Sequence, residues 1–493
     1  MKHLLPRIAL LLLTLLWQCP LEVAAQHDAP LRVELTAAKD QDDYHFALAD
    51  TNGALVLYDA GLISADTTRW VFIHYDTNLV KKSHFEIALP SQTDYVASHT
   101  DNGVIHLLMA KTLPKKDAPR TFVVSVDLRE NRHTVLDLSS LESRELSGIC
   151  TAGEQWVLFA SNSKKDEIYF FDKQKNHLTL LNDIGDYKVQ FCLPDTANHR
   201  WLLGLNPSID GTPGHLFLYE QDWQSGEGTV IALPRALADG TGLLLHTARA
   251  FVVNADTVLL AGTYNIASDK QVNNLHSGVF ALVLSHQTMD TLMLYSFTAL
   301  KNGSGKSSNI NLQLQLGLSA TDGEQFTISS EVYYPEYSYS YSYQGYYDDL
   351  RYGTSSPTAV FTGYRFVNAY VTTFDRHGNL LWDNYFLLDD ISIMTLAPVL
   401  RLAYIGSDAL LCYSRNNRIY SSLLNQGQTV EKPANISIET SNPREVVEYN
   451  KRTQIQRWYG DNFVASGYQY LRNRDRATKA KRYVFYLNKL IYQ

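Results

Sequence analysis

Cysteine is scarce in this chain, four in 493 residues, which excludes a fold stapled by a dense disulfide framework. Basic charge is also short. Lys and Arg total 43 against 51 Asp and Glu, a formal charge of −8, and general nucleic-acid binding wants a basic face instead. Only residues 8–17, "IALLLLTLLW", form a long apolar run. Nothing later approaches the ~18 uninterrupted apolar residues that a membrane-spanning helix needs. Helical periodicity is scarce throughout. The fifteen histidines form no His-x-x-x-His pair or other close ligand cluster, and no Gly-x-Ser-x-Gly elbow occurs. No metal, cofactor or catalytic residue is therefore assigned from the sequence.

The apolar run follows Lys2 and Arg7 and precedes Val23 and Ala25, which suit the −3 and −1 positions of a signal-peptidase site. That pattern predicts a secretory leader cleaved between Ala25 and Gln26. Cys19 raises the alternative of a lipid anchor, but Trp17 and Gln18 stand where small residues should precede it. Cleavage removes Lys2, Arg7 and Glu22, leaving 41 basic against 50 acidic residues, a charge of −9. The expected product is a single exported domain, residues 26–493, periplasmic or extracellular, with no transmembrane segment. Its remaining cysteines, Cys150, Cys192 and Cys412, sit in apolar strand-like runs and read as buried thiols.

What the chain has in abundance is one local pattern: a short apolar strand, a tight polar turn and another apolar strand. It occurs eight times, with turns centred near Asn52, Asn102, Gly153, Ala197, Ala255, Asp322, Ser407 and Asp461. Asn-Gly and Asp-Gly pairs suit such turns because both residues tolerate positive φ. Most units add a second hairpin, giving four strands in about 45–60 residues, the period of propeller blades. The expected fold is an all-β propeller of seven or eight four-stranded antiparallel blades. The direct count favours eight, with residues 31–38 pairing with the final strand. Tandem β-sandwiches are the alternative.

One unit, "VTTFDRHGNLLWDNYF", resembles the repeat of PQQ-type and related bacterial propellers. There a strand ends in an Asp-x-x-Gly turn and returns through a Trp, here Asp375, Gly378 and Trp382. The resemblance implies architecture and gives no warrant for a quinone cofactor.

The sixth unit departs from the spacing. First and second hairpin turns lie about 21 to 28 residues apart in the first four units, but 55 separate Asp322 from His377. The excess, an insertion at about 333–358, contains "YYPEYSYSYSYQGYYDDLRY", in which nine of twenty residues are tyrosine. As an extended strand, Tyr337, Tyr339, Tyr341 and Tyr343 would share one face about 7 Å apart, with serines on the other. Tyrosine is a stiff, large contact group with a polar tip, and long insertions in compact domains tend to carry function. These four residues, with Tyr346, Tyr347 and Arg351, form the candidate binding site. Packing against a neighbouring blade and a low-complexity loop are the bland alternatives.

Other motifs carry less. Gly305-Lys306-Ser307 mimics the end of a phosphate-binding loop, but Leu300 replaces the required glycine. Asp348 and Asp349, adjacent on an extended segment, would point to opposite faces and make a poor acid–base pair. The run 472–482 holds six basic residues and one acidic and reads as a solvated hairpin loop or an anionic-surface contact. The expected function is a non-catalytic binding or scaffold protein of the bacterial envelope, recognising a protein or glycan. The alternatives are a carbohydrate-active enzyme with a site in a central funnel, and a purely structural envelope component.

Overall fold

The computed structural model describes residues 31–492 except 39–42, 112–119, 139–145, 162–165, 182–184, 210–211, 268–275, 301–312, 341–357, 431–432 and 475–479. Apart from one 3₁₀ turn at Asp50–Asn52, its regular structure is strand. The strands form eight antiparallel four-stranded sheets, two of them with one extra short strand. The first seven cover residues 44–90, 93–137, 146–180, 187–231, 242–296, 314–393 and 401–437. The eighth combines Glu445–Arg457, Asn462–Asn473 and Lys481–Ile491 with the N-terminal strand Arg32–Thr36, which pairs with Lys481–Ile491 as the sequence led us to expect.

Packing between sheets sets the architecture. Leu57 and Phe72 of the first sheet share one buried cluster with Leu107 and Val124 of the second. Leu108 then shares a buried cluster with Trp156, Val157 with Leu203, and Leu202 with Leu260. Ala281 shares one with Ile328, Val371 with Leu411, and Leu410 with Phe463. A further cluster joins Val464 and Leu487 of the last sheet to Val56 and Ile73 of the first. Seven such contacts would make an open stack; the eighth closes a ring. Trp458 Nε1 donates to the Gly53 carbonyl at 3.2 Å and Lys489 Nζ to the Thr77 carbonyl at 2.9 Å across this closure. The protein is an eight-bladed β-propeller.

Burial explains the strand patterns. A middle strand is covered on both faces by neighbouring blades, so Ala54, Leu55, Val56 and Leu57 are all fully buried and the segment shows no alternation. Outer strands such as Arg132–Asp137 are mostly exposed and polar. All eight predicted turns join the first and second strands of successive blades. The Asp375 turn, between the third and fourth strands of the sixth blade, shows the turn chemistry: its carboxylate accepts the His377 and Asn379 amides at 2.8 and 2.9 Å, and Gly378 supplies φ +82°. Trp382 buries its ring between the sixth and seventh blades.

At the velcro strand, Arg32 contacts Glu34 at 2.7 Å, and Glu34 also accepts from Arg482 and the Ser441 amide. Burial alone would raise the Glu34 carboxyl; the amide and the guanidinium groups outweigh it and hold the group down at about 2.

Strand alternation puts the second-to-third-strand connections and the links between blades at one end of the ring. The tight hairpin turns occupy the other end. The long connections, including the tyrosine-rich one, thus leave from a single face.

Candidate functional site

The sixth blade is where this face is elaborated. Its second and third strands, Phe326–Ser340 and Thr358–Phe374, are 15 and 17 residues long. They remain paired from Phe326↔Phe374 out to Ser340↔Thr358. The start of the tyrosine-rich segment is therefore a continuation of blade strands, where the spacing had suggested a separate insertion. Pairing to the first strand ends near Val332, and pairing to the fourth ends at Tyr364↔Ile393. Beyond these points the described ladder has two strands only, residues 336–340 against 358–363. At the transition Gly363 takes φ +143°, and a Cβ there would lie 2.7 Å from the Ile393 carbonyl oxygen. A register shift beside it lets the hairpin bend away.

Alternation places Tyr333, Tyr337 and Tyr339 on one face. Their cross-strand neighbours complete a strip of rings. Tyr333 meets Phe366 at 5.8 Å and Tyr364 at 5.5 Å; Tyr364 meets Phe361 at 5.0 Å; Phe361 meets Tyr337 at 5.8 Å. The Tyr333–Tyr364, Tyr364–Phe361 and Phe361–Tyr337 contacts are edge-on, the favourable geometry for aromatic quadrupoles. The strip starts at Phe366, fully buried, and ends with Phe361, Tyr337 and Tyr339 exposed at 38%, 53% and 63%. Met394, exposed, follows the last fourth-strand pair beside Gly363. On the opposite face Glu336 accepts a hydrogen bond from Ser392 Oγ at 2.9 Å and lies 3.9 Å from Arg365.

Of the predicted site residues, Tyr337 and Tyr339 share this face. Tyr341, Tyr343, Tyr346, Tyr347 and Arg351 lie outside the described residues, as do Asp348, Asp349 and Gly305-Lys306-Ser307. Sequence reasoning missed Phe361, Tyr364 and Phe366. Their signal was the segment "VFTGYRF", legible once the excess length is read as a hairpin with two aromatic arms. The described part of the basic run is largely neutralised. Arg472 and Lys481 contact Glu448 at 2.6 and 3.4 Å, and Arg482 contacts Glu445 at 2.6 Å.

Three other polar groups are buried between blades. Glu331, fully buried, accepts the Val399 and Leu400 amides at 2.8 and 3.2 Å, and burial pushes its carboxyl up to about 7 against those bonds. His215, His246 and His276 cluster between the fourth and fifth blades, the last two with ring centres 4.7 Å apart. Burial lowers them to about 4, 4 and 3, so all are neutral imidazoles near pH 7. His99, Cys150 and Cys192 meet on innermost strands. Among the described residues no three His, Cys, Asp or Glu groups are placed to hold a metal ion, and no helix is long and apolar enough to cross a membrane.

No family profile matches the chain, and no curated protein matches it in sequence. Solved structures with similar chain paths include the β-propeller domain of the Trilobed protease from Pyrococcus furiosus, at 9% identity over 80% of this chain and 93% of that one, TM-score 0.38. A Dos1 propeller aligns at 12% identity over 81% and 92%, TM-score 0.39. The polysaccharide lyase Uly1 aligns at 7% identity over 80% and 90%, TM-score 0.41. At such scores the architecture is read from the closed ring of sheets itself.

Proposed function

We propose that this protein is an exported, non-catalytic recognition or scaffold component of the bacterial envelope. It grips a protein or glycan partner with the aromatic hairpin of its sixth blade. The single observation that carries the reading is the strip from Phe366 to Tyr339, anchored in the core and ending in exposed rings on a two-stranded projection. A lone two-stranded ribbon is marginal in water and presents two unpaired edges. Rings held edge to edge by a buried anchor are pre-organised, so binding costs less side-chain entropy. Exposed Val360, Leu387, Met394 and Leu396 add aliphatic surface nearby, which favours an apolar protein segment over a sugar. Export rests on the leader sequence. The PQQ-like turn at Asp375 is met by turn chemistry and core packing, and no quinone enters the proposal.

The test is retention of envelope proteins and glycans on the immobilised wild type against a Tyr337→Ala/Phe361→Ala double variant. A protein partner retained by the wild type and lost from the folded variant supports the reading. Equal retention by both removes the hairpin from it, and glycan turnover by both would point to an enzyme in the central funnel.

A further inference from the structure

Away from the hairpin, the innermost strands of the second, third and fourth blades bring together His99, Cys150 and Cys192, residues that lie far apart in sequence. His99 sits on Thr93–Asp101, Cys150 on Leu146–Ala152 and Cys192 on Tyr187–Asp195. The His99 Nδ1 accepts the Thr151 amide at 3.2 Å and lies 2.9 Å from Thr151 Oγ1. An acceptor at Nδ1 fixes the neutral ring's proton on Nε2. That nitrogen lies 3.8 Å from Cys150 Sγ. Cys192 packs in the same apolar cluster as Cys150, on the neighbouring innermost strand, and both cysteines are free.

The two sulfurs differ in character. The Cys192 thiol and the His99 imidazole, whose Nε2 lies at the Cys150 sulfur, draw Cys150 down against burial, which raises it. Burial pushes Cys192 up, and its neighbour Cys150 adds to the rise. Asp101 also faces His99, and His106 lies close enough to be repelled by it. Such asymmetry is what a nucleophilic thiol and its resolving partner require.

We propose that Cys150 and Cys192 are a nucleophile–resolver pair that interconverts between dithiol and disulfide, with His99 as the residue positioning and polarising the Cys150 sulfur. The Cys150 thiolate attacks one sulfur of a small disulfide such as oxidised glutathione. That S–S bond breaks, and one glutathione thiolate leaves and takes a proton from water. Cys192, giving its proton to water, then attacks the Cys150 sulfur of the mixed disulfide and expels the second glutathione. Two protein thiols are oxidised and one small disulfide is reduced to two thiols. The product staples the inner strands of the third and fourth blades.

The experiment incubates the folded full chain in glutathione redox buffer and maps peptides without reduction. The expected product is a Cys150–Cys192 linked peptide with Cys412 unmodified, and a higher melting temperature for the oxidised form. Cys192→Ser should trap glutathione on Cys150, and Cys150→Ser should trap none on Cys192. His99→Gln should shift the pH midpoint of Cys150 alkylation upward, since the imidazole N–H at its sulfur is lost. Absence of the linked peptide from oxidised, still-folded wild type overturns the pair. A Cys192→Ser protein that takes up no glutathione overturns the nucleophile assignment. An unchanged alkylation midpoint in folded His99→Gln overturns the role of His99.

Discussion

Acidification from pH 7 to pH 5 should weaken the fold through its buried imidazoles. His106 and His246 are 5% and 6% exposed, and burial lowers both to about 4. In the unfolded chain each titrates near its ordinary 6.5, so below that value the unfolded state binds the extra proton. The folded-state value is the depressed one; stability is therefore full above pH 6.5 and is lost as pH falls towards 4. Each ring loses about 2 kcal/mol between pH 7 and 5 by proton linkage. His45, His215 and His276, lowered to about 4, 4 and 3 by burial, act in the same direction. Glu331 opposes them. Its carboxyl is raised to about 7, so its contribution is present at low pH and lost as pH rises through 7, a gain of about 2 kcal/mol on acidification. The net loss is then between about 2 and about 8 kcal/mol, a large share of the 5–15 kcal/mol typical of domains. Urea midpoints measured at half-unit steps between pH 7 and 5 read this directly. A flat or rising midpoint would refute the burial of these rings in their neutral form.

Further expectations concern the ring and its closure. Gly262→Ala should destabilise by about 2 kcal/mol or more, since a Cβ there would lie 1.9 Å from the Thr247 carbonyl oxygen; Gly240→Ala, at φ +84° with open space around it, should cost only about 1 kcal/mol of backbone strain. Paired urea melts separate the two. Deleting residues 31–37 removes the velcro strand and leaves the Arg482 and Glu445 pair without Glu34, so limited proteolysis should cut the eighth blade first, while cleavage unchanged from wild type would contradict the closure. Trp201→Ala, replacing a ring 1% exposed between the third and fourth blades, should cost about 3–5 kcal/mol in chemical denaturation.

The fold was legible because the turn chemistry is local. Asn52-Gly53 and Asn102-Gly103 announce their hairpins by residue type, and continuous apolar runs such as Ala54–Leu57 mark strands covered on both faces. Closure was legible too, since residues 31–38 formed a strand without a hairpin partner of their own. The aromatic strip was half legible. Tyr337 and Tyr339 advertise themselves by alternation with serine, whereas Phe361 and Tyr364 acquire meaning only from cross-strand register, which the sequence does not carry across the intervening connection. The Cys150–His99–Cys192 group was invisible for a related reason: its members lie on three different blades, and only the propeller's central axis brings them together. Glu331 likewise reads as an exposed charge until the Val399 and Leu400 amides are seen to face it.

The most direct measurement places a photo-crosslinking residue at Tyr339, the outermost described ring, and at the exposed Leu62 of the first blade as a control, in the protein expressed in its native cells. A recognition role for the hairpin predicts a discrete adduct from position 339 that is absent from position 62 and lost when Tyr337 and Phe361 are both replaced by alanine. No adduct at 339, or the same adducts from both positions, would contradict it.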